Sequence, residues 1–203
     1  MKMFAFTHVA LIALALPVCA WADSSQQQTD LLTILAQQVA SYGPSTTSPA
    51  SADYEDTLTI EQGTTLLDSN DNFAVGGQFD VNESTGSITQ DGNHNVAGIF
   101  QTAGGFSTAS ISQFGNSNYA AVVQQDLGNT AVISQQNDNN TLVLNQQNGN
   151  NNANVTQYGN SDVTLNQTGS DTANLTFTVT SLTPVKYTYT QSPGSSWTIN
   201  VTN

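Results

Sequence analysis

The sequence predicts an all-β protein, a two-sided β-solenoid with rungs of about 22 residues, and three periodic observations carry that reading. Glutamine recurs at intervals of 10 to 12 residues: Gln78, Gln90, Gln101, Gln113, Gln124, Gln135, Gln146, Gln157 and Gln167. An aliphatic residue stands two places before nearly every one: Ile88, Ile99, Ile111, Val122, Ile133, Leu144, Val155 and Leu165. Asparagine recurs six places before: Asn72, Asn95, Asn118, Asn129, Asn140 and Asn151.

Four places before the glutamine the residue is small or aliphatic, as in Ala97, Ala109, Ala120, Ala131 and Ala153, with Leu142 and Val163 as larger variants. These marks fall at i, i+2 and i+4, so on a strand they share one face. One such strand buries too little to persist alone. Two consecutive units facing each other make a strand-turn-strand rung, and the next rung stacks on it at about 4.8 Å. One face then stacks Ile88, Ile111, Ile133, Val155 and Leu175, and the other stacks Ile99, Val122, Leu144 and Leu165. A buried glutamine is costly unless its amide is bonded. Identical amides on successive rungs can donate one way and accept the other, which explains why the glutamine repeats. The asparagines are expected at the turns, where asparagine tolerates left-handed backbone. In the columns read this way, no two acids stand on adjacent rungs. Phe177 is read as a replacement for the glutamine of the last unit, and Gly76 as a replacement for the aliphatic residue of the first.

Taken in order, residues 1–22 read as a signal peptide, with Lys2, an apolar Val9 to Val18 and a small-x-small site that places cleavage between Ala22 and Asp23. Lipoprotein processing at Cys19 is the rival reading, and Val18 is a poor residue before a lipidated cysteine. The apolar run is shorter than the roughly 20 residues of a spanning helix, so no membrane span is expected after signal removal. Residues 23–71 form an N-terminal export or linker region, disordered or partly helical. Thr29 and Asp30 are placed to cap a short helix carrying Leu31, Leu32, Ile34, Leu35 and Val39, and Gly43-Pro44 stops it. That helix is either a packing element or a docking address for export. Ser45 to Ala52 is a Ser/Thr/Pro linker. Thr57 to Ile60 alternates like a strand but is out of phase with Gln78. The repeats occupy 72–177. Residues 178–203 leave the pattern after Pro184; Val185, Tyr187, Tyr189, Pro193-Gly194, Trp197, Ile199 and Val201 suggest a β-hairpin, either a cap on the open sheet edge or a docking piece.

The chain has 203 residues, 15 acids, two lysines, no arginine and a net charge of −13. That charge makes nucleic acid and anionic surfaces poor partners. Once Lys2 and Cys19 leave with the signal peptide, no cysteine remains for disulfides or thiol chemistry, and His94 is the only histidine. His94 sits in a Gly/Asn turn and reads as a solvated corner residue. Asp53, Glu55, Asp56 and Glu61 read as a solvated flank. No nucleophile and base pair is apparent, and neither an enzyme activity, a metal nor a cofactor is expected. A soluble solenoid that binds glycan or ice would need a regular outward array. The outward residues Ser87, Thr89, Gly98, Phe100, Ser110, Ser112, Ala121 and Val123 are irregular. A polysaccharide-cleaving β-helix would need clustered carboxylates.

The stretch Ser110-Ile111-Ser112-Gln113-Phe114-Gly115-Asn116-Ser117-Asn118-Tyr119-Ala120, followed by Gln124, and the stretch Asn154-Val155-Thr156-Gln157-Tyr158-Gly159 resemble the curlin repeat of bacterial curli fibre subunits. The resemblance covers about half the chain. It implies a secreted subunit, exported through the periplasm and a dedicated outer-membrane secretion machinery. It implies assembly with itself and other curlin subunits into an extracellular cell-surface amyloid fibre (a fimbrium) for adhesion and biofilm. Asn72-Phe73-Ala74-Val75, and alanine where the major subunit tends to have serine, look more like the minor, nucleating subunit. The 23–71 region departs from the Gly-rich export segment of major subunits.

Overall fold

The computed structural model describes residues 57–62, 72–169, 173–180, 184–191 and 193–202. The expected signal peptide, the cleavage site at Ala22 and Asp23, the Leu31 to Val39 helix, the Ser45 to Ala52 linker and the Asp53 to Asp56 acids lie outside the described residues.

Alternation of core and outward residues every second position gives short strands, and polar corners break them at each half rung. Thirteen strands result among the described residues: β1 Thr57–Gln62, β2 Phe73–Asn82, β3 Thr85–Asp91, β4 Val96–Gly105, β5 Thr108–Phe114, β6 Tyr119–Gln125, β7 Thr130–Gln136, β8 Thr141–Gln147, β9 Asn151–Tyr158, β10 Ser161–Thr168, β11 Ala173–Val179, β12 Val185–Gln191 and β13 Ser196–Val201. Odd and even strands separate into two sheets, ordered β1-β3-β5-β7-β9-β11-β13 and β12-β10-β8-β6-β4-β2. Every pairing is parallel and in register, so like residues stack: Ile88 on Ile111, Ile111 on Ile133, Ile133 on Val155. This is the expected two-sided solenoid.

The core lies between the sheets. Ile88, Ile99, Ile111, Val122, Ile133, Leu144, Val155 and Leu165 are all buried in one continuous cluster, with the alanines 97, 109, 120, 131 and 153 between them. Alanine on one sheet lets the larger aliphatic residues interdigitate, and burying each of those contributes about 1.5–3 kcal/mol.

Three expectations need correction. No C-terminal hairpin forms. β12 and β13 do not pair with each other; β12 adds to β10 and β13 to β11, both in parallel, so the chain after Pro184 makes a further rung. Pro193-Gly194 turns the chain from one sheet to the other. Val185, Tyr187, Tyr189, Ile199 and Val201 pack inward on the core, so the aromatic residues continue it at larger volume. Phe177 rings Tyr187 edge to face at 5.9 Å, and Tyr189 rings Trp197 at 6.1 Å.

The second correction concerns the last odd column. Phe177, not Leu175, stacks on Val155; Leu175 pairs with Ala153, and Val179 takes the glutamine place beside Gln157. The count from Gln167 misled because the link after β10 is longer, whereas the 22-residue step from Gln157 holds. The third concerns Thr57–Gln62. It is in register with β3, Ile60 opposite Ile88 and Gln62 opposite Gln90, and the longer connection to β2 hides that phase. Strands in phase with the repeat thus run from Thr57 to Val201.

Candidate functional site: two files of stacked amides

The glutamine at the fifth place of each unit points inward from the end of its strand, and the parallel register places it on the glutamine of the next rung. On the even sheet the Nε2 of Gln78, Gln101, Gln124, Gln146 and Gln167 each donates to the Oε1 of the glutamine one rung later, ending on Gln191, every time at 2.8 Å. On the odd sheet Gln90, Gln113 and Gln135 do the same, ending on Gln157, again at 2.8 Å. All are buried except Gln78, which is half-buried on the first even strand.

The second amide hydrogen crosses to the other sheet. Gln124 donates to the carbonyl of Thr108 at 2.9 Å, Gln135 to Tyr119 at 2.9 Å and Gln146 to Thr130 at 2.8 Å. Each acceptor is the first residue of a strand on the opposite sheet. A single side chain therefore ties its own strand, the next rung and the facing sheet together. One such bond is worth about 0.5–1.5 kcal/mol net, while an amide left buried without it costs about 1–3 kcal/mol. That asymmetry requires the glutamine on every rung once it is present on one.

The files end differently. Val179 succeeds Gln157, whose Nε2 turns to the Ser161 Oγ at 2.9 Å. Gln191 closes the other file on the Ser195 carbonyl at 2.6 Å.

The asparagines divide between two corners. In one, the Oδ1 of Asn72, Asn95 and Asn118 accepts the backbone N–H of Asn95, Asn118 and Asn140 in turn, at 2.9–3.0 Å, and Ser161 Oγ donates to Asn140 Oδ1 at 3.0 Å. In the other, Ser107 Oγ accepts from Asn129 N at 3.2 Å, and Asn129 Oδ1 accepts from Asn151 N at 3.1 Å. Asn95, Asn118, Asn129, Asn140 and Asn151 are almost fully buried. None of the six has left-handed backbone, contrary to expectation; that conformation falls on neighbours such as His94, Ser117, Asn139 and Asn150. The asparagine is there to hold the next rung's backbone, and the bend is made beside it. Gly115 shows why some corners need glycine: φ is 123°, and a Cβ there would run into the Asn137 carbonyl one rung on.

Sequence reasoning missed Ser84, Ser107, Ser161 and Gln191. The three serines stand six places before Gln90, Gln113 and Gln167, the same place as the asparagines, so the spacing alone would have found them. Gln191 stands 24 residues after Gln167, beyond the expected step.

The acids fit the same scheme. Asp138 accepts the backbone N–H of Asn116 at 2.7 Å as Asn116 Oδ1 accepts that of Asn93 at 3.0 Å, so this carboxylate replaces an asparagine carbonyl, and Asp126 accepts the backbone N–H of Asn148 at 3.0 Å. Lys186 reaches Asp162 at 2.9 Å on the adjacent strand. Among the described residues, no three or more His, Cys, Asp or Glu side chains gather where a metal ion could be held. No helix among them is long and apolar enough to cross a membrane.

Residues 82–114, which take in β3 to β5, match the model of the curlin associated repeat. No curated protein matches the chain, and no solved structure does. The columns that the match covers, Ile88 on Ile111 and Gln90 on Gln113, are the same columns that extend to both sides of it.

Proposed function

We propose that the chain is a secreted structural subunit of an extracellular curli-type amyloid fibre, assembling rung on rung, and that it serves as the minor, nucleating subunit. The observation that carries this reading is the pair of buried glutamine files running in register through parallel sheets. A curlin associated repeat lies inside them. Among the described residues the sheets end on β1 and β13, and on β2 and β12, whose outer edges meet no further strand. Such edges are templates for another chain.

The nucleating role draws on Asn72-Phe73-Ala74-Val75 at the head of the repeats and on alanine at the buried small position. Export through the outer-membrane curli secretion machinery, adhesion and a place in the biofilm matrix follow from the same reading. Residues 1–22 act in it as the signal peptide. The stacking core is the glutamine and aliphatic set described above, with the asparagines as its corner ladder.

The test is to release residues 23–203 from denaturant and follow thioflavin-T fluorescence, alone and as trace seed for a major curlin subunit. Fibres with a reflection near about 4.7–4.8 Å are expected. Strong seeding with slow growth of its own marks the nucleator. Rapid growth without seeding marks a major subunit. A stable monomer that does neither overturns the fibre reading in favour of a soluble ligand-binding solenoid.

A further inference from the structure

The even sheet has an outward face, and that face is buried. Val96 is 0% exposed, Phe100 1%, Tyr119 2%, Ala121 2% and Val143 9%, although all five point away from the odd sheet. The equivalent face of the odd sheet is open: Ser110 and Ser112 are half-buried and Val132 is 44% exposed. Every described strand belongs to one of the two sheets, so no described element is left to cover the even face. Phe73 and Val75 on β2 pack against the same apolar patch, and Phe100 and Tyr119 are both partnered.

We propose that the chain's own N-terminal segment covers this face, with Leu31, Leu32, Ile34, Leu35 and Val39 seated on it. The connections at 170–172 and 181–183 have three residues each, too few to cross four strands, and the nine of 63–71 lead into β2, at the edge of the patch away from β8. The patch from Phe73 to Val143 crosses β2, β4, β6 and β8, about 14 Å at the usual strand spacing. Leu31 to Val39 read as a helix is about 13 Å long. Residues 45–56, at most about 40 Å when extended, reach easily from the start of β1 around to the other sheet. Residues 31–52 carry no charge. The nearest acid on the face, Asp162, is already paired with Lys186. Apolar surface therefore meets apolar surface with no unpaired charge to bury. In this arrangement the segment keeps a large apolar face from joining a second chain sideways, while the strand edges at the two ends stay available.

The test is disulfide trapping in the full chain carrying Cys19→Ser, which removes its single native cysteine. Ala121→Cys is combined in turn with Leu31→Cys, Leu32→Cys, Leu35→Cys and Val39→Cys under mild oxidation of monomer. At least one pair should close within the chain, with a yield unchanged over about a tenfold dilution, because an intramolecular step does not depend on concentration. Adding Val143→Glu should abolish that cross-link, and Ser112→Glu on the opposite face should leave it intact. Failure of all four pairs overturns the proposal. Disulfide-linked dimers whose yield falls on dilution overturn it too, and show that a second copy covers the face. Thioflavin-T growth of the same samples reads fibre formation separately, so either result stands without the other.

Discussion

Leu58 stands where residue 76 has no side chain: its Cδ2 lies 2.6 Å from the place a Cβ on Gly76 would take. Its Cδ1 lies 2.8 Å from the same place and 2.8 Å from that of a Cβ on Gly86. Gly76 occupies the column of Ile99 and Val122, and Gly86 that of Ala109. The first rung thus exchanges an isoleucine on one sheet for a leucine on the other. Leu58→Ala should cost about 1–2 kcal/mol, less than at a sealed core site because Leu58 is 37% exposed. Gly76→Val should cost about 1–3 kcal/mol by overpacking. The double variant should cost clearly less than the sum, with a coupling above about 0.5 kcal/mol in denaturant unfolding of the monomer. Additive costs would mean that the two positions do not share the space.

Gln124→Ala removes an acceptor from Gln101 and donors from Gln146 and the Thr108 carbonyl. The expected loss is about 3 kcal/mol or more, from several buried groups left without partners. Gln124→Met keeps the volume and should lose nearly as much. A methionine variant as stable as the parent would show that the amide ladder contributes little.

Phe106 has left-handed backbone, φ 58°, and its side chain is 56% exposed. A bulky residue there costs about 1–2 kcal/mol, and glycine or asparagine relieves it. Phe106→Asn should raise the midpoint of thermal unfolding by about 2–4 °C. A fall in the midpoint would mean that the ring is held by contacts worth more than the strain.

Net charge should slow association between chains. The acids of different copies repel over a distance that salt controls, so raising ionic strength from about 20 mM to about 500 mM should shorten the thioflavin-T lag. A lag that lengthens with salt would assign the slow step to something other than repulsion.

Burial raises the Tyr189 phenol above its ordinary value of 10.0. The unfolded chain then loses that proton first, so stability is flat below this pH and falls as pH rises beyond it. Tyr189→Phe should remove that part of the alkaline loss. Absorbance titration of tyrosinate against unfolding midpoints checks both halves.

Most of the fold was legible because a solenoid writes its register directly into the chain. Gln90 predicts Gln113 by counting, and one rung explains the next. Counting fails where a link changes length, which hides the phase of Ile60, shifts Phe177 by one column and carries Gln191 beyond the expected step. It also fails where different residues do one job. Ser84 and Ser107 replace asparagine because the place requires only an oxygen that can accept the next rung's N–H, and residue identity hides that equivalence. The second glutamine hydrogen was not legible at all, since its acceptor on the facing sheet depends on how the two sheets are offset.

Within each buried file, up to its last member, a glutamine donates to its successor on the later strand, so the amide dipoles of a file add rather than cancel. A stack built this way is a vector. On the even sheet, where Gln191 lies on the outermost strand, a copy set down in the same sense brings its own glutamine oxygen to the end of the file, whereas on the odd sheet Val179 and Val201 stand beyond Gln157 and close the file inside the molecule. At the late end the last donors bond within the chain itself, Gln157 to Ser161 and Gln191 to Ser195. The two tips of the molecule are therefore not interchangeable, and the difference is written in side chains that no solvent touches.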